Sequence, residues 1–365
     1  MSTLAAALQP FIDDHDLAGA VLLAATKDRV LALEAAGYAD LATRSPMNPD
    51  ALFWIASMTK PMTATALMML VDEGKVSLDD PVEKYLPEFK GQKVLAYRDD
   101  DVTVLKKPRH PITVREILSH TAGLSFSSPI ETPTLDQFHL RDSVHSYAAM
   151  PLMFEPGTRY AYSNEGSNTA GRIIEVVSGE SYEAFMDRRL FHPLGMKDTT
   201  FWPDDAQVAR LAKVYASSAE KAALEEVTIG QLAYPLQNRD RKPMPAGGLF
   251  STASDVATFA QMILAGGLAG DRRYVSEAAI AEMTRKQTGD GVPNEYGLGW
   301  GRGERQVRPR RRLQDQLYHR PEAWAHHRLP YPSHQRLARG SRPRDHRRLC
   351  RGGGAVAVAA VYDRR

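Results

Sequence analysis

The order of the secondary-structure signals predicts an α/β lobe joined to an all-helical lobe. Two apolar runs near the N-terminus read as a β-hairpin, a long middle section carries helical patterning, and a last apolar run reads as a returning strand. Strands that bracket helices in this way suit a sheet built from both chain ends, with helices on its faces and beside it.

The elements follow in order. Residues 4–15 place Leu4, Leu8, Phe11 and Ile12 on one helical face. Residues 19–25 and 30–34 are apolar, and the polar Thr26-Lys27-Asp28-Arg29 between them makes the hairpin turn. Pro46 and Pro49 mark a loop before Phe53-Trp54-Ile55-Ala56. A long helix is expected from Ser57 or Met58 to about Glu73. Pro61 fits its first turn, where a missing N–H is harmless, and Gly74 ends it. A short helix is expected after Leu78-Asp79-Asp80-Pro81, reaching Leu86. Thr113-Val114-Arg115-Glu116 is a capping box for a helix that ends around His120-Thr121-Ala122-Gly123. Residues 124–150 read as polar and irregular, residues 167–178 and 182–190 as helices, and Ser251-Thr252-Ala253-Ser254-Asp255 as the cap of another helix reaching about Leu264.

Composition narrows the function. The chain has 365 residues, 43% hydrophobic and 25% charged, as expected of a globular enzyme. Its single cysteine, Cys350, excludes a disulfide framework and a cysteine-ligated zinc site. The N-terminus lacks a basic region and its apolar run is broken by Gln9 and Pro10, so no signal peptide is read and a cytoplasmic location is expected. No apolar run is long enough for a membrane span.

Ser57 and Lys60 lie three residues apart, which on a helix places them on one face, one turn apart. The lysine amine can then reach the serine hydroxyl, provided burial lowers its pKa enough to accept a proton. The Ser57 N–H, at the positive end of the helix dipole, suits an oxyanion donor. Tyr162-Ser163-Asn164 supplies a second group. A tyrosine beside a lysine can have its phenolate stabilised and act as a base, and Asn164 can bind the lysine or a substrate carbonyl. By themselves these three residues equally fit a loop tyrosine with a buried ring, followed by a capping serine or asparagine. There is no Gly-x-Ser-x-Gly, His-Glu-x-x-His or Gly-x-x-x-x-Gly-Lys. His120, at a helix end, suits a structural role better than a triad.

Taken together, the segments Leu52-Phe53-Trp54-Ile55-Ala56-Ser57-Met58-Thr59-Lys60-Pro61, Tyr162-Ser163-Asn164 and Leu118-Ser119-His120-Thr121-Ala122-Gly123-Leu124 resemble the serine β-lactamase-like family. That family holds class C β-lactamases, D-Ala-D-Ala carboxypeptidases and family VIII carboxylesterases. Pro193-Leu194-Gly195-Met196, Ala246-Gly247-Gly248-Leu249-Phe250-Ser251-Thr252 and Tyr296-Gly297-Leu298-Gly299-Trp300 extend the likeness in the same order over about residues 15–301. The resemblance implies an antiparallel sheet flanked by helices with a helical second lobe. It implies that Ser57 attacks the substrate carbonyl and that Lys60 and Tyr162 carry its proton to the leaving group. Water, activated through Tyr162, then hydrolyses the acyl-enzyme, with no metal or cofactor.

The resemblance stops after Trp300. Residues 302–365 hold 17 Arg, 5 acidic residues and no Lys, a formal +12 against −10 for residues 1–301. The family's third motif, a Lys-Thr-Gly or His-Gly-Gly type strand that would supply a second oxyanion donor, is missing; Arg351-Gly352-Gly353-Gly354 is late and out of context. Two explanations compete: an arginine-rich tail that binds nucleic acid or an anionic surface, or a reading-frame shift shortly after Trp300. The frame shift accounts at once for the abrupt onset, the lost motif and the lysine-free composition. The expected organisation is therefore a hydrolase domain over residues 1–301 and an anomalous segment over 302–365.

The expected function is a carboxylesterase for small or short-acyl esters, with a small-molecule substrate and no nucleic-acid or membrane partner. The alternatives are a β-lactamase or D-alanyl carboxypeptidase, and a homologue that binds acyl ligands without turnover.

Overall fold

The computed structural model describes residues 3–218, 223–301 and 356–361. The expected hairpin forms as β1 (Gly19–Ala25) and β2 (Val30–Asp40), antiparallel and in register from Gly19 opposite Gly37 to Ala24 opposite Ala32. The Thr26–Arg29 turn closes on a 2.9 Å hydrogen bond from the Thr26 N–H to the Arg29 carbonyl. The short β3 (Ser45–Pro46) lies on the far side of β2. The chain's last described segment, Val356–Val361, pairs antiparallel with the other edge of β1. One four-stranded antiparallel sheet thus joins both ends of the chain. The helix α1 (Thr3–Asp13) packs on β1 and β2, where Ile12, Leu17 and Ala20 form a small core of their own. The helix Ala253–Leu264 covers β1 and the returning strand. An α/β protein with an antiparallel sheet and a helical remainder is therefore the observed architecture.

The central element is α2 (Thr59–Asp72). Eleven of its fourteen residues are buried, from Thr59 to Leu70, so the apolar surface runs round nearly the whole circumference. Against it pack α5 (Asn164–Ser178) and the helix Glu277–Thr284, and on α5 in turn pack α3 (Val114–Leu118), α4 (Leu140–Ala149) and α6 (Tyr182–Met186), all within the main core. Both halves of the expected capping box are present at α3. Thr113 Oγ1 accepts from the Glu116 N–H at 3.3 Å, and Glu116 Oε2 accepts from the Thr113 N–H at 2.9 Å. Within the expected cap segment 251–255, Thr252 is the residue that caps the Ala253–Leu264 helix, its side chain accepting from the Asp255 N–H.

Several boundaries differ from the sequence reading. Ser57 lies in a 3₁₀ turn, Ala56–Met58, and the α-helix begins at Thr59. The element after Pro81 is a single 3₁₀ turn, Val82–Lys84, too short to be an α-helix. Residues 124–150 are not irregular throughout, because α4 occupies their last third. Its pattern was hidden by polar residues: only Leu140, Ser143, Val144 and Tyr147 face inward. The helix expected over 167–178 starts three residues earlier, with Ser163 as its N-cap. The helix expected over 182–190 is α6 followed by a π-helical turn, Asp187–Phe191. The β-hairpin of Val94–Arg98 with Thr103–Lys106 and the helix Glu277–Thr284 were not foreseen. The segment around Arg351–Gly354 and most of the anomalous tail lie outside the described residues.

Two loops are joined by a buried ion pair. Asp136 and Arg241 are 1% and 4% exposed and meet through Arg241 Nε and Asp136 Oδ2 at 2.8 Å. The guanidinium also donates to the Phe201 and Leu236 carbonyls, so its burial is compensated by hydrogen bonds on several sides.

Candidate active site

The site begins with a strand. Phe53–Trp54 pairs antiparallel with Phe250–Ser251, and the Ile55 N–H continues the ladder to the Leu249 carbonyl at 2.9 Å. The chain must then turn sharply into α2. Ala56 makes the turn with a φ of +44°, a left-handed conformation that costs a non-glycine residue about 1–2 kcal/mol. Thr59 holds the turn: its hydroxyl donates to the Ala56 carbonyl at 2.7 Å and accepts from the Leu249 N–H at 3.3 Å. Ser57 is thereby left exposed at the mouth of a buried helix.

Lys60, one turn on, is 2% exposed. Its Nζ reaches three oxygens: Ser57 Oγ at 3.2 Å, Asn164 Oδ1 at 2.8 Å and the Ala246 carbonyl at 2.7 Å. Burial, with no compensating ion pair among the described residues, pushes its pKa down from 10.5 to about 7. Much of the lysine is therefore a neutral amine at neutral pH. A neutral amine has two N–H groups and one lone pair. The carbonyl of Ala246 can only accept, and so can Asn164 Oδ1. In the deprotonated amine the two N–H groups can go to them, which leaves the lone pair for the Ser57 hydroxyl, whereas in the charged form Nζ donates to Ser57 Oγ.

Each acceptor is itself fixed. Asn164 opens α5, behind the Ser163 cap, whose Oγ accepts from the Gly166 N–H at 3.0 Å. The Asn164 N–H donates to the Phe126 carbonyl at 3.2 Å. At Gly166, a Cβ would sit 2.6 Å from the Ile117 carbonyl oxygen, so only glycine lets α5 approach α3 this closely. The Ala246 carbonyl shares its peptide with the Gly247 N–H, which donates to the Met244 carbonyl at 3.0 Å, and Ala246 is also held through the preceding peptide. Its N–H donates to Asn168 Oδ1 at 3.0 Å, and Asn168 Nδ2 donates in turn to the Tyr147 hydroxyl at 3.0 Å. That hydroxyl donates to the buried carboxyl of Glu131. The Gly297–Trp300 turn braces the far side of α2. Gly299 has a φ of +73°, and a Cβ there would lie 2.6 Å from the Ala64 Cβ.

Tyr162 completes the group. Its hydroxyl lies close to the Ser57 side chain, and its ring lies 4.6 Å from the Lys60 Nζ. Burial pushes its pKa up to about 12, and the Ser57 side chain opposes this only in part. Tyr162 is therefore a neutral phenol at pH 7, not the stabilised phenolate expected from its neighbour, because desolvation penalises the anion.

All four residues singled out in the sequence, Ser57, Lys60, Tyr162 and Asn164, thus meet at one point. His120 is buried behind Tyr162, with ring centroids 4.6 Å apart, and no hydrogen bond joins it to Ser57 or Lys60 among the described residues. Sequence reasoning missed the Ala246 carbonyl, since a backbone oxygen has no residue signature. It also missed Tyr296, whose ring packs 4.7 Å from that of His120. The strand that would follow Trp300 beside the serine lies outside the described residues.

The chain is similar to several known proteins. A family model described as beta-lactamase matches residues 4–334. Esterase EstB of Burkholderia gladioli is 29% identical over 333 residues, covering 83% of this chain and 79% of its own length. Penicillin-binding protein 4 of Amycolatopsis lactamdurans is 30% identical over 295 residues, covering 80% of this chain and 71% of its own. Among solved structures, EstCE1, described as a hydrolase with promiscuous acyltransferase activity, matches with a TM-score of 0.66 at 28% identity, over 80% of this chain and 79% of that one. A buried lysine turned toward an exposed serine, on a fold shared with these proteins, identifies the chain as a member of the beta-lactamase family of serine hydrolases.

Proposed function

We propose that the protein is a carboxylesterase that cleaves small or short-acyl esters through an acyl-enzyme on Ser57. The observation that carries the reading is the hydrogen-bonding of Lys60. Its two fixed acceptors leave the amine lone pair on the Ser57 hydroxyl, and burial holds its pKa near the operating pH, at about 7.

In this reading Ser57 Oγ attacks the ester carbonyl as its proton passes to Lys60 Nζ. The Ser57 N–H, at the start of the α2 dipole, faces the charge that develops on the carbonyl oxygen. Tyr162, a neutral phenol close to Ser57, relays a proton to the leaving alkoxide and is recharged from Lys60. In deacylation the relay runs in reverse, with a water in place of the alcohol. Asn164 holds the lysine in the orientation each step needs.

The likeness to EstB and EstCE1 supports an ester substrate, while the likeness to penicillin-binding protein 4 supports a second reading as a β-lactamase or D-alanyl peptidase. Parallel assays with p-nitrophenyl butyrate and a chromogenic cephalosporin separate them. Ester turnover that disappears in Ser57→Ala is the expected result. Cephalosporin turnover without ester turnover overturns the choice of substrate. Stable labelling of Ser57 by a fluorophosphonate with no turnover of either would instead indicate a non-catalytic acyl binder.

A further inference from the structure

We infer that His120 is the positioning residue for Tyr162: one residue holds the peptide N–H groups on both sides of the tyrosine. The His120 carbonyl accepts from the Ala161 N–H at 3.0 Å, and His120 Nδ1 accepts from the Ser163 N–H at 3.2 Å. The imidazole also packs on the Tyr162 ring at 4.6 Å, with Tyr296 at 4.7 Å and Tyr160 at 5.8 Å on its other sides. Tyr162 can neither slide along its loop nor tilt without breaking one of these contacts. The inference rests on the reading of Tyr162 as the proton relay.

The backbone of His120 points the same way. It follows the last turn of α3 with a φ of +60°, a left-handed conformation that glycine adopts freely and that asparagine and histidine tolerate better than most residues. A glycine would sit there with less strain, but it carries no imidazole to meet the Ser163 N–H. The support beneath is rigid. The α3 cap, the Ser119 N–H to Arg115 carbonyl bond at 3.0 Å and the Thr121 N–H to Glu116 carbonyl bond at 3.0 Å hold the residues on either side. Accepting a hydrogen bond at Nδ1 requires that nitrogen to be bare, with the proton on Nε2. Burial and the nearby Lys60 charge favour this neutral ring, holding the imidazole well below its ordinary range.

The test compares two amides of different reach in the full chain. In His120→Asn the amide oxygen takes the place of Nδ1 and asparagine tolerates the positive φ; in His120→Gln it reaches toward Nε2 instead. The readouts are kcat and KM on p-nitrophenyl butyrate, the rate of Ser57 labelling by a fluorophosphonate, and the melting temperature. His120→Asn is expected to keep kcat within about threefold, while His120→Gln loses about ten- to a hundredfold in kcat with KM little changed. The His120→Gln/Tyr162→Phe double variant is expected to be no slower than Tyr162→Phe alone, since both remove the same relay. Multiplying losses in the double variant overturn the inference. So does a tenfold or greater kcat loss in His120→Asn at unchanged melting temperature. Failure of the parent reading looks different: Ser57→Ala retains turnover, or wild-type Ser57 resists labelling.

Discussion

Lys60 Nζ lies 3.2 Å from Ser57 Oγ, while its two other partners, Asn164 Oδ1 and the Ala246 carbonyl, can only accept. This asymmetry turns an ordinary contact into a directed one, because the deprotonated amine has a single place for its lone pair. If Ser57 is the nucleophile, Ser57→Ala abolishes ester turnover and fluorophosphonate labelling. Ser57 is exposed, so the same variant shifts stability by no more than about 0.5 kcal/mol in urea denaturation.

The lowered pKa of Lys60 sets the acid side of the pH profile. Below about 7 the amine is protonated and cannot accept from Ser57, so kcat/KM falls about tenfold per pH unit. Lys60→Met removes this limb together with about 10²–10⁴ of the rate.

Stability carries the same signature with a definite sign. The unfolded chain keeps the lysine proton up to about 10.5, whereas the folded chain releases it at about 7. The unfolded state therefore binds more protons between these values, and stability rises with pH across that window. Urea denaturation at several pH values from 7 to 9 measures the slope, and Lys60→Met flattens it.

Asn164→Asp places a carboxylate where the amide oxygen now sits, 2.8 Å from Lys60 Nζ. An adjacent anion favours the charged amine, which raises the lysine pKa by one unit or more, about tenfold or greater in rate at pH 7. The acid limb moves upward, and activity returns toward pH 9. A pH–rate profile identical to wild type contradicts the proposed contact.

Tyr162→Phe is expected to lower kcat on the order of 100-fold, the scale of one lost proton relay. Because burial holds this hydroxyl up to about 12, no alkaline limb from Tyr162 appears below pH 10. An inflection near pH 8 that vanishes in Tyr162→Phe would restore the phenolate mechanism.

Gly299→Ala tests the brace behind α2. The added Cβ would lie 2.6 Å from the Ala64 Cβ and 3.1 Å from the Lys60 carbonyl oxygen, at a φ of +73°. The variant is expected to lose about 1–3 kcal/mol of stability, and kcat should fall as α2 shifts. Thermal unfolding together with ester kinetics checks both parts.

No described helix is long and apolar enough to cross a bilayer.

Much of the fold was legible because local rules decide it. The Thr113 and Thr252 caps, the Thr26–Arg29 turn and the glycine after α2 specify their elements through neighbouring atoms alone. Where local signals fail, packing takes over. The helix α4 carries too many polar residues on its outer face to stand out, and it is ordered by burying Leu140, Val144 and Tyr147. Ser57 was expected in the first α-helical turn, but the Phe53–Trp54 strand pairing forces a tighter turn before the helix can begin.

The residue types of the site belong to the sequence. Ser57 and Lys60 are brought close by the 3₁₀ turn that leads into α2, and Tyr162 and Asn164 stand on either side of a cap that Ser163 specifies by itself. Their chemical state belongs to the tertiary structure. Whether Lys60 is a base depends on burial that removes water from its amine, and on a carbonyl 186 residues away that claims one of its hydrogens. Whether Tyr162 is a phenol or a phenolate depends on the same desolvation. Charge state is a property of the surroundings, and those surroundings exist only once distant segments have packed together.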